Sequence, residues 1–178
     1  EFRRVLFRSW PNTRVLIWSA QPAVTDTATS WLQRRGLKIL EPATLEQMML
    51  EDGVRLTHRS EDEAQVLHGG SRLGAEVVVF ADSTIRAGED SAAHEAREGG
   101  HSHGHDGQIY HASVSIRGVS LKTHEVVWSG AARMTPRFHG AVDDSLTRLT
   151  CQALATAWAF RPAGYHRIPS SEMCEISG

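Results

Sequence analysis

Lysine is nearly absent from this chain: only Lys38 and Lys122 occur, so almost all of its positive charge is arginine, a bias that a GC-rich genome produces without any mechanism behind it. The formal net charge is −2 and the sequence pI about 6.6. These values argue against a nucleic-acid binder, which usually shows a basic face or a basic excess. Cysteine is also scarce. Cys151 and Cys174 are the only two; they make no disulfide framework and say little about redox compartment. Cys151 falls inside an expected helix, where it reads as a small buried apolar residue. No apolar run approaches the roughly 20 residues that a membrane-spanning helix needs. G-x-S-x-G, Walker, G-x-G-x-x-G and H-E-x-x-H patterns are all missing, so an enzyme reading has no motif to rest on. No internal repeat and no signal-peptide pattern is visible. Residues 1–9 (EFRRVLFRS) fit no later pattern and read as a non-native or disordered start, with any targeting segment upstream.

What is present is one domain's worth of patterned sequence. At 178 residues and 40% apolar, the chain can bury one full core but not two generous ones. Arg14–Trp18 is a short apolar run that predicts a buried strand. Pro22 suits the first turn of a helix, and Val24, Ala28, Trp31 and Leu32 recur at helical spacing until Gly36. Leu37–Leu40 predicts a second strand closed by Pro42. Thr44 with Gln47, and Ser60 with Glu63, make capping-box patterns ahead of helices over Thr44–Glu51 and from Ser60 to about Leu73. In the first of these Leu45, Met48 and Met49 face inward; in the second, Gly69-Gly70 loosen the last turn.

Glu76–Phe80 is the most strand-like segment, β-branched and bounded by Gly74 and Asp82. Arg86–Gln108 follows as a polar stretch rich in Gly, His and acid, without apolar periodicity, and predicts a loop. Tyr110–Leu121 and Glu125–Arg133 then alternate as a hairpin around Lys122-Thr123-His124. A final helix begins near Asp143, with Val142, Leu146, Leu149, Ala153, Ala157 and Phe160 on one face, and Pro162 ends it. The tail is 163–178. The order β-α-β-α-α-β-loop-β-β-α predicts an α/β (α+β) fold over 10–162, a single mixed sheet with helices packed on it.

These segments resemble a known family. The first strand, a helix running into RRGLKILEPATLEQMM, a helix ending in LGAEVVVF and the hairpin SVSIRGVSLKTHEVVWSGA together are similar to the CsgG-like (curli secretion channel) family. Its relatives include the TolB amino-terminal domain and the penicillin-binding-protein activator lipoproteins. The resemblance spans roughly Arg14 to Phe160, and its most specific part is the hairpin. It implies a periplasmic accessory lipoprotein that is not an enzyme, lipid-anchored upstream, with an envelope protein partner and a role in outer-membrane assembly or secretion. Gly74 turns a helix into the buried strand, and Trp128 supplies a large apolar plug. Two departures stand out. The hairpin-tip residue that is usually Gly is here His124, which must accept positive φ or give the turn another geometry. Channel-forming members insert a membrane-spanning hairpin where this chain has Arg86–Gln108. Ala87–Gly107 contains no Val, Leu, Ile or aromatic residue, whereas spanning strands alternate apolar residues outward. Arg133–Val142 is too short for a second spanning hairpin, so no pore is expected.

One cluster has chemical character: His94, His101, His103 and His105, with His111 beyond. Alternating imidazoles in a Gly-rich loop can converge on Zn²⁺, Ni²⁺ or Cu²⁺, with His101, His103 and His105 as ligands. With no scaffold or outer shell identifiable, the favoured reading is a solvated polar loop, and an envelope metal-binding protein using this His-rich loop is the alternative. Asp143-Asp144 read as helix-start acids rather than paired catalytic carboxylates, and Glu61-Asp62-Glu63 as a first-turn charge run.

Overall fold

The computed structural model describes residues 12–58, 60–87, 110–135 and 142–158. Five strands form one sheet in the order β2-β1-β3-β4-β5. They are β1 (Arg14–Trp18), β2 (Lys38–Leu40), β3 (Val77–Ala87), β4 (Tyr110–Ser120) and β5 (Val126–Met134). β1 runs parallel to β2 and β3, while β4 is antiparallel to both β3 and β5. The helices are α1 (Pro22–Gln33), α2 (Pro42–Glu51), α3 (Glu63–Arg72) and α4 (Val142–Trp158). The mixed sheet with helices packed on it is therefore the fold the pattern predicts.

Helices on both sides divide the core in two. Val24, Ala28, Trp31 and Leu32 of α1 and Leu146, Leu149, Ala153 and Leu154 of α4 pack on one face, against Val15, Val79, Val114 and Trp128. Leu45 and Met49 of α2 and Val66 of α3 cover the other, against Leu16, Val78 and Phe80. This explains why β1 and the start of β3 are continuous apolar runs rather than alternating ones: both of their faces are covered.

Two close approaches fix the hairpin and its helix. Trp128 stands opposite Gly118, and a Cβ at Gly118 would lie 2.4 Å from the indole Cε2. A Cβ at Gly130 would lie 2.0 Å from the Ala153 carbonyl oxygen, so the backbone of α4 rests directly on β5. Tyr110 Oη and Ser145 Oγ, 2.5 Å apart, tie the start of β4 to α4. At the far end of α4, Trp158 meets Trp31 edge-on at 5.3 Å, and Arg35 lies 3.1 Å above the Trp31 ring.

Several local expectations change. The capping box at Thr44 does not form: α2 begins at Pro42, Glu41 occupies the cap without a side-chain bond, and Gln47 turns instead to Glu51. Proline at the first position supplies the helical φ and has no amide hydrogen needing a cap. Ser60–Asp62 is a short 3-10 turn, and α3 starts at Glu63, again without a side-chain cap. α3 runs through Gly69-Gly70, which are buried, with Gly69 against Leu45 and Met49 of α2. β3 continues to Ala87, so Arg86 and Ala87 are strand where their polar setting predicts a loop; β4 pairs with them as far as Tyr110. Residues 88–109 lie outside the described residues. His124 adopts φ 57 and Gly74 φ 78, as their positions require. Cys151 is buried as expected, but it is disulfide-bonded rather than a free apolar filler.

Candidate functional site

Among the described residues, the sheet face carrying α2 and α3 is only partly covered. Beyond Phe80 on β3 and Val119 on β4 the period-two alternation continues, with no described helix above it. The residues there are mostly polar: Asp82, Thr84 and Arg86 on β3, Ser115, Ser113 and His111 facing them on β4, and Ala131 and Arg133 on β5. A half-buried antiparallel strand shows this pattern when its second face meets water.

At the boundary between covered and open halves lies a crevice of about 340 Å³. β1 ends at Trp18, paired with Phe80, while β3 runs on past it. The chain leaves β1 through α1 toward β2 on one side, then crosses back through α2 and α3 to β3 on the other. The ends of β1 and β3 are therefore a topological switch point, where open α/β sheets form ligand crevices. Ser19, Ala20 and Gln21 close one wall, Phe80 to Ser83 the floor, and His58, Glu61 and Glu63 the opposite wall.

Arg117 organises the site. It reaches from β4 across the sheet face and donates from Nη1 and Nη2 to the two oxygens of Glu63, at 2.8 and 2.7 Å. Its guanidinium also sits 4.6 Å above the Phe80 ring. The hydrogen bonds from Arg117 hold the Glu63 carboxyl below the usual carboxylate range, with partial burial opposing and the guanidinium charge assisting. The same bonds raise Arg117, burial opposes, and the charges of Glu63 and Asp82 add to the rise. Both side chains are about one-third exposed, so solvent screens the pair and its net worth is on the order of 1 kcal/mol or less.

His58 closes the other wall in an unusual conformation, with φ 59. Its ring stacks on Trp18 at 4.3 Å and 6° between planes, and Nε2 lies 3.3 Å from Glu46 Oε1. The loop is held from the next turn: the buried Asp62 carboxylate accepts the Thr57 amide hydrogen at 2.5 Å and its hydroxyl at 3.1 Å. Such a left-handed residue costs about 1–3 kcal/mol and persists where its surroundings over-determine it. Two ring nitrogens in this wall, Trp18 Nε1 and His58 Nδ1, are buried without a hydrogen-bond partner among the described residues.

Of the histidines read as candidate ligands, His94, His101, His103 and His105 lie outside the described residues. His111 stands exposed on β4, with Nδ1 3.0 Å from Thr135 Oγ1. Among the described residues no group of three His, Cys, Asp or Glu side chains is placed to hold a metal. Asp143 and Asp144 occupy the first turn of α4, as read. Glu61 and Glu63, read as a charge run, instead line the crevice. The sequence alone does not single out Arg117, Trp18 or His58 as site residues. The alternation around SVSIRGVS places Arg117 on the polar face, but nothing local to it indicates the carboxylate 54 positions earlier that it meets.

The open mixed sheet with two helices on each face and a crevice at the strand switch defines the class of fold. No protein-family profile and no curated protein sequence matches the chain. Among solved structures, lipoprotein GNA1162 from Neisseria meningitidis superposes with a TM-score of 0.51 at 14% identity, over 75% of this chain and 90% of that one. The LpoB C-terminal domain from Salmonella enterica gives 0.47 at 12%, over 73% and 87%. The PelC dodecamer from Paraburkholderia phytofirmans gives 0.45 at 11%, over 79% and 84%. The chain thus shares its fold with a bacterial lipoprotein.

Proposed function

We propose that this chain is a non-enzymatic accessory module of the bacterial cell envelope that works by presenting a protein-binding surface. The observation that carries the reading is the open polar face of β3, β4 and β5, which stands bare of any described helix while the opposite face is packed under α1 and α4. A rigid sheet displaying hydroxyl and charged side chains, with a crevice of mixed polar and apolar lining at its margin, suits recognition of another protein. The envelope location draws on the shared fold, since one solved structure of that shape, GNA1162 from Neisseria meningitidis, is a lipoprotein.

In the finer reading, the chain is a CsgG- or TolB-like periplasmic protein, anchored upstream to the outer membrane, that assists assembly or secretion without forming a pore. Fractionation of the source cells with an antibody to the domain tests it. Recovery with envelope markers is expected, and recovery solely with cytosolic markers would overturn it.

A further inference from the structure

Cys151 carries a covalent bond that apolar packing alone does not call for. It lies on α4, 3% exposed, within the core cluster that α1, α4 and the sheet share. It is disulfide-bonded, and the chain holds no free cysteine. The sequence has only two cysteines, Cys151 and Cys174. A bond between the Cys151 residues of two copies would need that buried sulfur at the surface, and a Cys174–Cys174 bond would leave Cys151 free. What remains is a bond within one chain.

The position of Cys151 fixes what the bond holds. Thr147, Cys151, Leu154 and Trp158 fall at steps of three and four along α4, so they share one stripe of the helix. That stripe faces α1: Thr27 Oγ1 lies 3.5 Å from Thr147 Oγ1, and Trp158 meets Trp31 edge-on at 5.3 Å. Cys151 therefore sits in the α1–α4 seam, between those two contacts. Seven residues of helix, at about 1.5 Å each, put it about 10 Å from Trp158. The chain from Trp158 to Cys174 can reach about 50 Å at roughly 3.3 Å per residue, ample length to return.

We infer that Cys151 and Cys174 form an intrachain disulfide that anchors the segment after α4 at the α1–α4 seam, and that the chain acquires it in an oxidising compartment. In forming it, one cysteine thiolate attacks the disulfide of a thiol oxidoreductase and displaces one of its sulfurs. The second cysteine thiolate then attacks the mixed disulfide and displaces the other. One sulfur–sulfur bond forms in the chain and one breaks in the oxidant, which leaves as a dithiol with two electrons and two protons. Such bonds persist in oxidising surroundings and are rare where glutathione and thioredoxin keep thiols reduced. The inference stands on Cys151 and the cysteine count, and does not rest on the proposed function.

The test is peptide mapping of the protein from its source cells, with thiols alkylated at lysis and the digest left unreduced. Trypsin cuts after Arg148 and Arg167 but spares Arg161, which precedes Pro162. The two cysteines therefore fall on Leu149–Arg167 and on the peptide beginning at Ile168. These peptides joined, two hydrogens lighter than their sum, are the expected result. Reduction of the folded protein with a phosphine should lower its thermal midpoint by on the order of 5–10 °C, because the reduced chain regains loop entropy when it unfolds. Cys174→Ser should match the reduced parent and carry one thiol that alkylates only on unfolding. Alkylated cysteine on both peptides, Cys174 joined to Cys174 of a second copy, or a thermal midpoint that neither reduction nor Cys174→Ser lowers would overturn the inference. Mapping decides the bond and fractionation decides residence in the envelope, so either can fail without the other.

Discussion

Arg117 of β4 and Glu63 at the first turn of α3 meet as a two-bond pair, 2.8 and 2.7 Å, and so join the open half of the sheet to the helix that covers the other half. The Glu63 carboxyl is held below its usual range, so the folded chain binds fewer protons than the unfolded one in acid. The pair's stabilisation is therefore complete above the unfolded value of 4.5 and is lost as pH falls through the lower folded value. Glu63→Gln should cost about 0.5–1 kcal/mol near neutral pH. Its stability curve should converge with that of the parent as pH falls below 4.5 and through the lower folded value. Denaturant titrations in which the two curves stay parallel would contradict the assignment.

The hairpin depends on Trp128 filling the space that Gly118 leaves. Trp128→Ala should cost about 3–5 kcal/mol, the range for a large buried aromatic. Gly118→Ala, which adds one methyl, should cost about 1–3 kcal/mol by overpacking, because the indole atoms nearest a new Cβ belong to a ring and cannot bend aside. Urea unfolding with a change below about 1 kcal/mol for Trp128→Ala would place the indole outside the core.

His124 sits at φ 57 at the hairpin tip. Left-handed geometry costs a non-glycine residue about 1–2 kcal/mol, and glycine gives back about 0.4–1 through its freer unfolded chain. His124→Gly should therefore stabilise by up to about 1 kcal/mol. A loss of that size in thermal or urea unfolding would mean that the His124 side chain makes a contact worth more than its strain.

The composition of Ala87–Gly107 predicts that the purified protein neither conducts ions in planar bilayers nor releases dye from liposomes. A segment without large apolar side chains offers no lipid-facing strand surface. Reproducible single-channel steps would overturn this. Among the described residues no helix is long and apolar enough to cross a membrane, which leaves that test to decide the strand question.

Most of the architecture is legible in the sequence because its signals are local. β1, the start of β3 and α4 announce themselves through run length or a 3.6-residue period, and the Lys122-Thr123-His124 tip through alternation on either side. The helix starts are harder to place where two local signals compete: Pro42 precedes Thr44 and prevails, since a proline already carries the dihedral that a cap would select. The end of β3 escapes notice because Asp82 to Ala87 is mixed and largely polar. Its pairing comes from β4, not from its own composition. The candidate site is the least legible part. Glu63 and Arg117 are 54 positions apart in the chain, and α1, β2 and α2 lie between Trp18 and His58, so a single sequence shows neither meeting.

The most direct test of the sheet face as the working surface is site-specific photocrosslinking in the source cells. Benzoylphenylalanine would replace Ser115 or Arg133 on the open face, or Asp26 or Ser30 on α1 as controls. All four positions are exposed, and only the first two lie in the proposed contact region. Discrete crosslinked species from Ser115 and Arg133, with none from Asp26 or Ser30, are the expected result. Crosslinks confined to α1, or equal at all four positions, would contradict a partner surface on β3, β4 and β5.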